Sequence, residues 1–207
     1  MVEVVYVLTN PAMPELVKIG RTENAIETRM KQLDGTGTPL PFECFYAAEV
    51  SDFRRVEKAL HEAFDDHRIR KSREFFRLSP EKPRAIIRLL EQRDVTPRDD
   101  VVESADDAEA LNRARRRRSN FRFSFVDIAP GSILESVFDE SITCEVIDDR
   151  KVRFRGEVAS LSVSALEVAH DSGFNWVAIQ GPSYWKYHGR TLSEIRSDIE
   201  DDDGDTP

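Results

Sequence analysis

The chain reads as an α+β protein of two small domains joined by a charged segment. Three observations predict this. Short β-branched and aromatic runs ("EVVYVLT", "LVKIGR", "FECFYAAEV") are interleaved with segments of helical periodicity. Residues 94–120 hold few large apolar groups and pass from an acidic block into "RARRRR". After that segment the strand-rich pattern resumes. At 207 residues the chain is long enough for two cores. The boundaries are placed at 1–93 for the first domain, 94–120 for the linker, 121–199 for the second domain and 200–207 for an acidic tail.

In the first domain, residues 3–9 read as a strand and "NPAMPE" (10–15) turns on its two prolines. Residues 16–21 return as the second strand of a hairpin. From Glu23, Ile26, Met30 and Leu33 share one helical face, and Gly35 ends that helix. Residues 42–50 form a third strand. "SDFRRVEKALHEAF" opens with a Ser/Asp cap and carries a stripe of Phe53, Val56, Leu60 and Phe64. "REFFRL" (73–78) is a short extended piece. A last helix begins at Ser-Pro and turns Ile86, Leu89 and Leu90 inward. The order is β-β-α-β-α-(β)-α. In the second domain "SILES" and residues 140–160 are strands with "DDRK" as a hairpin turn. "SVSALEVAHDSG" is a helix from a serine cap to Gly173, and "NWVAI", "WKYHGRTL" and "SEIRSDI" close the domain.

Composition excludes several classes. No apolar run approaches the ~20 residues that span a bilayer. The N-terminus is acidic where a signal peptide is basic, so a cytoplasmic location is expected. Cys44 and Cys144 stand alone, which argues against a disulfide framework and against a thiolate zinc site. The net charge of −9 conceals a division: residues 1–93 carry 16 Lys/Arg against 15 Asp/Glu, and two of the acidic blocks read as linker and tail and not as domain surface. The low pI therefore does not exclude nucleic acid, since the relevant field belongs to one face.

One ordered set of residues stands out: "VVYVL", "VKIGRT", Arg29 on the first helix, Glu57 and His61 on the second, then "EFF". This set, over about residues 4–90, resembles the GIY-YIG nuclease superfamily, in the phage-type spelling with "KIGRT". The resemblance implies a small mixed α/β sandwich with flanking helices, and a concave face that cleaves DNA with Mg²⁺ or Mn²⁺. It implies Glu57 as the metal anchor, Arg29 as a clamp on the scissile phosphate and Tyr6 as the group that orients or helps deprotonate water. Lys18 stands where that family has its second tyrosine. It either substitutes electrostatically or marks a loss of cleavage. A lysine serves as a base only when burial and neighbouring cations pull its pKa well below the usual ~10.4. The chemistry suits these residue types: one carboxylate can anchor an ion that keeps most of its waters, and the planar guanidinium fits phosphate.

Each residue also has an ordinary reading. Tyr6 is core packing, Arg29 pairs with Glu27 or Asp34, Glu57 is solvated, and His61, one helical turn after Glu57, is structural. "HEAFDDH" is not the metalloprotease HExxH. Arg21 and Glu74 are candidate substrate contacts beside this set. Gly20 is expected to allow close packing of a helix on the strand. Arg115 and Arg116 in "RARRRR" are either a phosphate-binding arm or part of a solvated linker.

The second domain resembles the RAMA-like domain found beside restriction and modification methylases. It carries "GSILES", the "SVSALEVAH" helix, Trp176, Trp185 and "GRTLSEIR" in order. That resemblance implies DNA reading, with Trp176 and Trp185 as stacking candidates; the alternative is a small aromatic core. The expected function is a metal-dependent DNA endonuclease with an accessory DNA-sensing domain, of the kind used in restriction or phage–host conflict. The alternative is a non-catalytic DNA-binding protein.

Overall fold

The computed structural model describes residues 3–35, 37–118 and 121–203, with the side chains of 116–118 and 201–203 outside the described set. It divides into two compact units, with the boundary in sequence between Leu111 and Asn112. The α+β class holds in both, and every strand pairing is antiparallel where mixed directions were expected.

The first unit contains β1 (Val4–Thr9), β2 (Leu16–Thr22), α1 (Ile26–Leu33), β3 (Glu43–Val50), α2 (Phe53–Ala63), β4 (Phe75–Arg77), α3 (Glu81–Leu90) and β5 (Glu91–Asp94). The sheet order is β4-β2-β1-β3-β5. β1 is central and buried on both faces, which is why "VVYVL" is a continuous apolar run instead of an alternation. On one face Val5, Val7, Val17, Ile19, Ala48 and Val50 pack with Phe53 and Leu60 of α2 and Ile87 of α3. On the other, Val4, Tyr6, Leu8, Cys44 and Ala47 pack with Ile26 and Met30 of α1. Asp52 caps α2 by accepting from the Arg55 backbone N–H at 3.0 Å.

Two expectations about this unit are corrected. α3 turns Ile87 and Pro83 inward, while Leu89 is 84% exposed and Leu90 lies on the surface. Leu89 lies two residues, about 200° of helix rotation, from Ile87, so a helix that buries Ile87 turns Leu89 outward, and Leu90 is the last residue of the helix. β5 was not anticipated: "EQRD" has little intrinsic strand preference, and its extended form comes from pairing with β3, continued by Val95 N–H donating to Ala47 O at 2.9 Å. Beyond it, Val95 and Val101 pack against the α1 face, and α4 (Ala105–Arg118) follows.

The second unit contains β6 (Ile133–Ser136), β7 (Thr143–Val146), β8 (Lys151–Phe154), β9 (Glu157–Ser160), α5 (Leu161–Asp171), β10 (Trp185–Tyr187), β11 (Arg190–Thr191) and α6 (Leu192–Asp203). Its sheet runs β11-β10-β6-β7-β8-β9. The turn at 147–150 is tied by Asp148, whose carboxylate accepts from the Arg150 and Lys151 N–H groups. A second hairpin turns at Arg155–Gly156, with φ of 51° and 87°, the left-handed pair that a two-residue hairpin requires. α5 is capped by Ser160 and followed by Gly173. "NWVAI" is not a strand.

Candidate active site

The first unit's site is built where β4 stops covering β2. β4 pairs with Leu16, Val17 and Lys18, and Glu74 O accepts one further bond from Ile19 N–H at 3.2 Å. Beyond Ile19 the outer edge of β2 has no strand partner among the described residues. His61 reaches this edge from α2, and its Nε2 lies 2.9 Å from Ile19 O. A carbonyl only accepts, so Nε2 carries the hydrogen and His61 tethers α2 to β2.

Tyr6 on β1 lies directly opposite Gly20 on β2, and the tyrosine ring occupies the space a side chain at residue 20 would fill. Gly20 thus makes room for the Tyr6 ring, not for a helix; that expectation is corrected. The Tyr6 hydroxyl reaches past β2 and accepts from Arg29 Nε at 3.3 Å. Arg29 therefore bonds Tyr6, not Glu27 or Asp34. Its terminal Nη1 and Nη2 have no partner among the described residues.

Two ion pairs flank the hydroxyl. Lys18 Nζ donates to Glu74 Oε2 at 2.5 Å, with the lysine side chain 8% exposed and the glutamate 38%. Arg21 Nε donates to Glu57 Oε2 at 2.8 Å, with Arg21 37% and Glu57 15% exposed. Arg21 also lies over the Phe53 ring at 5.0 Å. The groups share one field. Burial raises the Tyr6 phenol above its ordinary value; Arg29 offsets this in part, and the Glu74 and Glu57 carboxylates add to it. Burial alone would raise the Glu74 carboxyl, but the Lys18 hydrogen bond and charge, with His61 and Arg29, hold it below the ordinary range. At neutral pH the site thus holds a neutral phenol and an ionised Glu74.

Tyr6, Lys18, Arg21, Arg29, Glu57, His61 and Glu74 are therefore brought together. The remaining candidates are not. Arg115 is buried, with Nη1 donating to Asn112 Oδ1, and so is no displayed arm; the Arg116 side chain lies outside the described residues. Trp185 is 0% exposed, and its Nε1 donates to Leu161 O, which leaves no ring face for a base. Trp176 is buried in an aromatic cluster, its ring centroid 4.3 Å from that of Phe174. Phe138 stacks on Tyr184 at 5.2 Å in the same cluster. Both tryptophans take the core role.

Among the described residues no group of three or more His, Cys, Asp or Glu side chains converges as a metal cage. Glu57 Oε1 has no hydrogen-bond partner there, so the donor set suits an ion held by one carboxylate and waters. No helix among the described residues is long and apolar enough to cross a membrane.

Residues 3–91 match the T5orf172 domain. That family is nuclease-like and associated with DNA binding. Neither curated proteins nor solved structures gave a match. The family found corrects both resemblances. What residues 3–91 match is the T5orf172 model, a distinct endonuclease-associated family, in place of GIY-YIG, and residues 121–199 carry no family match, which withdraws the RAMA-like reading.

Proposed function

We propose that the first unit is a DNA endonuclease and that the notch beside Gly20 is where it hydrolyses a phosphodiester. The observation that supports this best is the convergence of Tyr6, Arg29 and two carboxylate–cation pairs at the uncovered edge of β2, within the residues matched to a nuclease-like family.

Hydrolysis places extra negative charge on the non-bridging phosphate oxygens, and cations fixed in a partly dry site act on that charge without reorganising. Arg29 supplies a planar fork whose orientation is set by its Nε bond to Tyr6. Lys18 supplies a second fixed charge, held by Glu74. The Tyr6 phenol stays protonated, so it orients the attacking water by hydrogen bonding and is not a base. Glu74, held ionised, is a weak proton acceptor and serves mainly to position Lys18. Glu57 would hold Mg²⁺ or Mn²⁺, which when bound neutralises phosphate charge and acidifies a coordinated water. Arg21 shares that carboxylate and fixes its rotamer.

The second reading, binding without cleavage, draws on the pairing of both carboxylates with cations already in place. Supercoiled plasmid with Mg²⁺ or Mn²⁺ separates the two. The parent should nick it, and Glu57→Ala should lose nicking while keeping most affinity, because affinity resides in Lys/Arg contacts to phosphate and the ion acts on the transition state. A parent protein inactive with every divalent ion overturns the endonuclease reading.

A further inference from the structure

We infer that the turn "RIRKSR" (68–73) is a preformed grip for the DNA phosphate backbone, set next to the cleavage notch. The inference rests on DNA being the ligand of the first unit.

Four of these six residues are cationic, and Arg70, Lys71 and Arg73 are exposed. The segment is the tip of a hairpin whose returning strand is β4. Arg68 bridges to Phe76, and Ile69 N–H donates to Phe75 O at 3.0 Å. The tip closes with Arg73 N–H donating to Arg70 O at 2.9 Å, a four-residue turn. Arg68 braces it from within, its Nε donating to Arg73 O at 2.8 Å and its guanidinium lying over the Phe76 ring at 5.4 Å. One arginine is thus spent on holding the turn, and three cations are left at its tip.

Those three have no carboxylate partner among the described residues. Some exposed cations of this unit are matched, Arg54 with Glu23, Lys58 with Glu62 and Arg93 with Glu49. The unmatched ones outside the tip, such as Lys31, Arg55 and Arg88, are scattered, so what sets the tip apart is three such cations within four residues. Like charges crowded on a tight turn repel one another, and an anionic partner relieves that repulsion. The position matters as much as the charge. Arg73 immediately precedes Glu74, which holds Lys18, so the cationic tip begins one residue, about 3.8 Å of backbone, from the proposed site. B-DNA carries a phosphate every ~3.4 Å of axis on each strand. A duplex with one phosphate at the Arg29 fork therefore offers further phosphates to Arg70, Lys71 and Arg73. The tip would hold register on the backbone without reading sequence.

The test uses the full chain and a fluorescent duplex of arbitrary sequence, without divalent ions, so that binding alone is read. Arg70→Ala/Lys71→Ala/Arg73→Ala should flatten the slope of log Kd against log salt by about 2–3, since each phosphate contact contributes ~0.9. Between about 50 and about 200 mM salt the parent should then lose ~40-fold more affinity than the variant. Arg70→Lys/Arg73→Lys should keep the parent's slope, because a point charge suffices for a phosphate. The melting temperature of all three proteins should agree. An unchanged slope in the alanine variant overturns the grip. Failure of the endonuclease reading is seen elsewhere, as a parent that nicks no plasmid, and it leaves the slope comparison intact.

Discussion

Tyr6 and Gly20 face each other across β1 and β2, and a Cβ placed on residue 20 would lie 2.6 Å from the tyrosine hydroxyl and 2.7 Å from Cζ. The hydroxyl can reach Arg29 only because residue 20 has no side chain. Gly20→Ala should displace the Tyr6 ring inside a packed face, at a cost of about 1–3 kcal/mol, and should lower nicking further than its loss of stability explains. Melting temperature and plasmid nicking, measured together, check this. An alanine variant with parental activity would mean that the ring position is irrelevant to cleavage.

Tyr6→Phe separates the ring from the hydroxyl. The ring still fills its place on the α1 face, so stability should fall by only about 1 kcal/mol, the worth of one hydrogen bond. Nicking should fall much more if the hydroxyl orients water and Arg29. A loss confined to stability would return Tyr6 to a packing role.

The paired carboxylate next to it makes a pH prediction. Glu74's folded carboxyl lies below its ordinary value, so its contribution to stability is present above the unfolded pKa of about 4.3 and is lost as pH falls through the lower folded value. Melting temperature should therefore decline from about pH 5 downward, and Glu74→Gln should make that decline shallower. Equal acid sensitivity in parent and variant would show that Lys18 does not hold this carboxylate.

Much of the first unit was legible because its signals are local. β1 is a run of β-branched and aromatic residues, the prolines between β1 and β2 permit only a turn, and Asp52 announces α2 by its capping chemistry. What was not legible depends on partners far along the chain. β5 is extended because β3 offers an edge, and nothing in "EQRD" says so. Which of Ile86, Ile87, Leu89 and Leu90 α3 buries depends on how the helix docks on the sheet, and the core takes Ile87. In the site, Tyr6, Arg29, Glu57 and Lys18 were singled out by a family resemblance, but the pairings Lys18–Glu74 and Arg21–Glu57 join residues 56 and 36 positions apart. Trp185 looked available because a sequence shows a ring and not its surroundings.

Residues past 93 contribute to the first unit, and truncation should reveal it. Val95 N–H bonds Ala47 O, Thr96 Oγ1 accepts from Ala47 N–H at 3.0 Å, and Val95 and Val101 cover the α1 face. A fragment of residues 1–111 should melt above one of residues 1–93. The two hydrogen bonds, at about 1 kcal/mol each, set a lower bound near 2 kcal/mol on the difference. Equal melting would show that the segment after β5 adds nothing to the unit's stability.

Lys18 decides whether the site works by fixed charge or by proton abstraction. Its side chain is almost enclosed, and its ammonium donates to the Glu74 carboxylate at 2.5 Å. A cation held this way stabilises phosphate charge at any pH where Glu74 is ionised. Lys18→Arg should then keep measurable nicking, since arginine also pairs with Glu74 and stays charged. Lys18→Met should lose nicking and about 1–3 kcal/mol of stability, because Glu74 is left half-buried without its partner; its partial exposure keeps the cost below that of a fully buried pair. The parental rate should show no fall between pH 8 and about pH 6 that Lys18→Arg abolishes. If Lys18 were instead the base, arginine would be dead and the rate would climb with pH as the ammonium lost its proton. A Lys18→Arg protein that binds DNA as the parent does and nicks nothing would therefore overturn the electrostatic role.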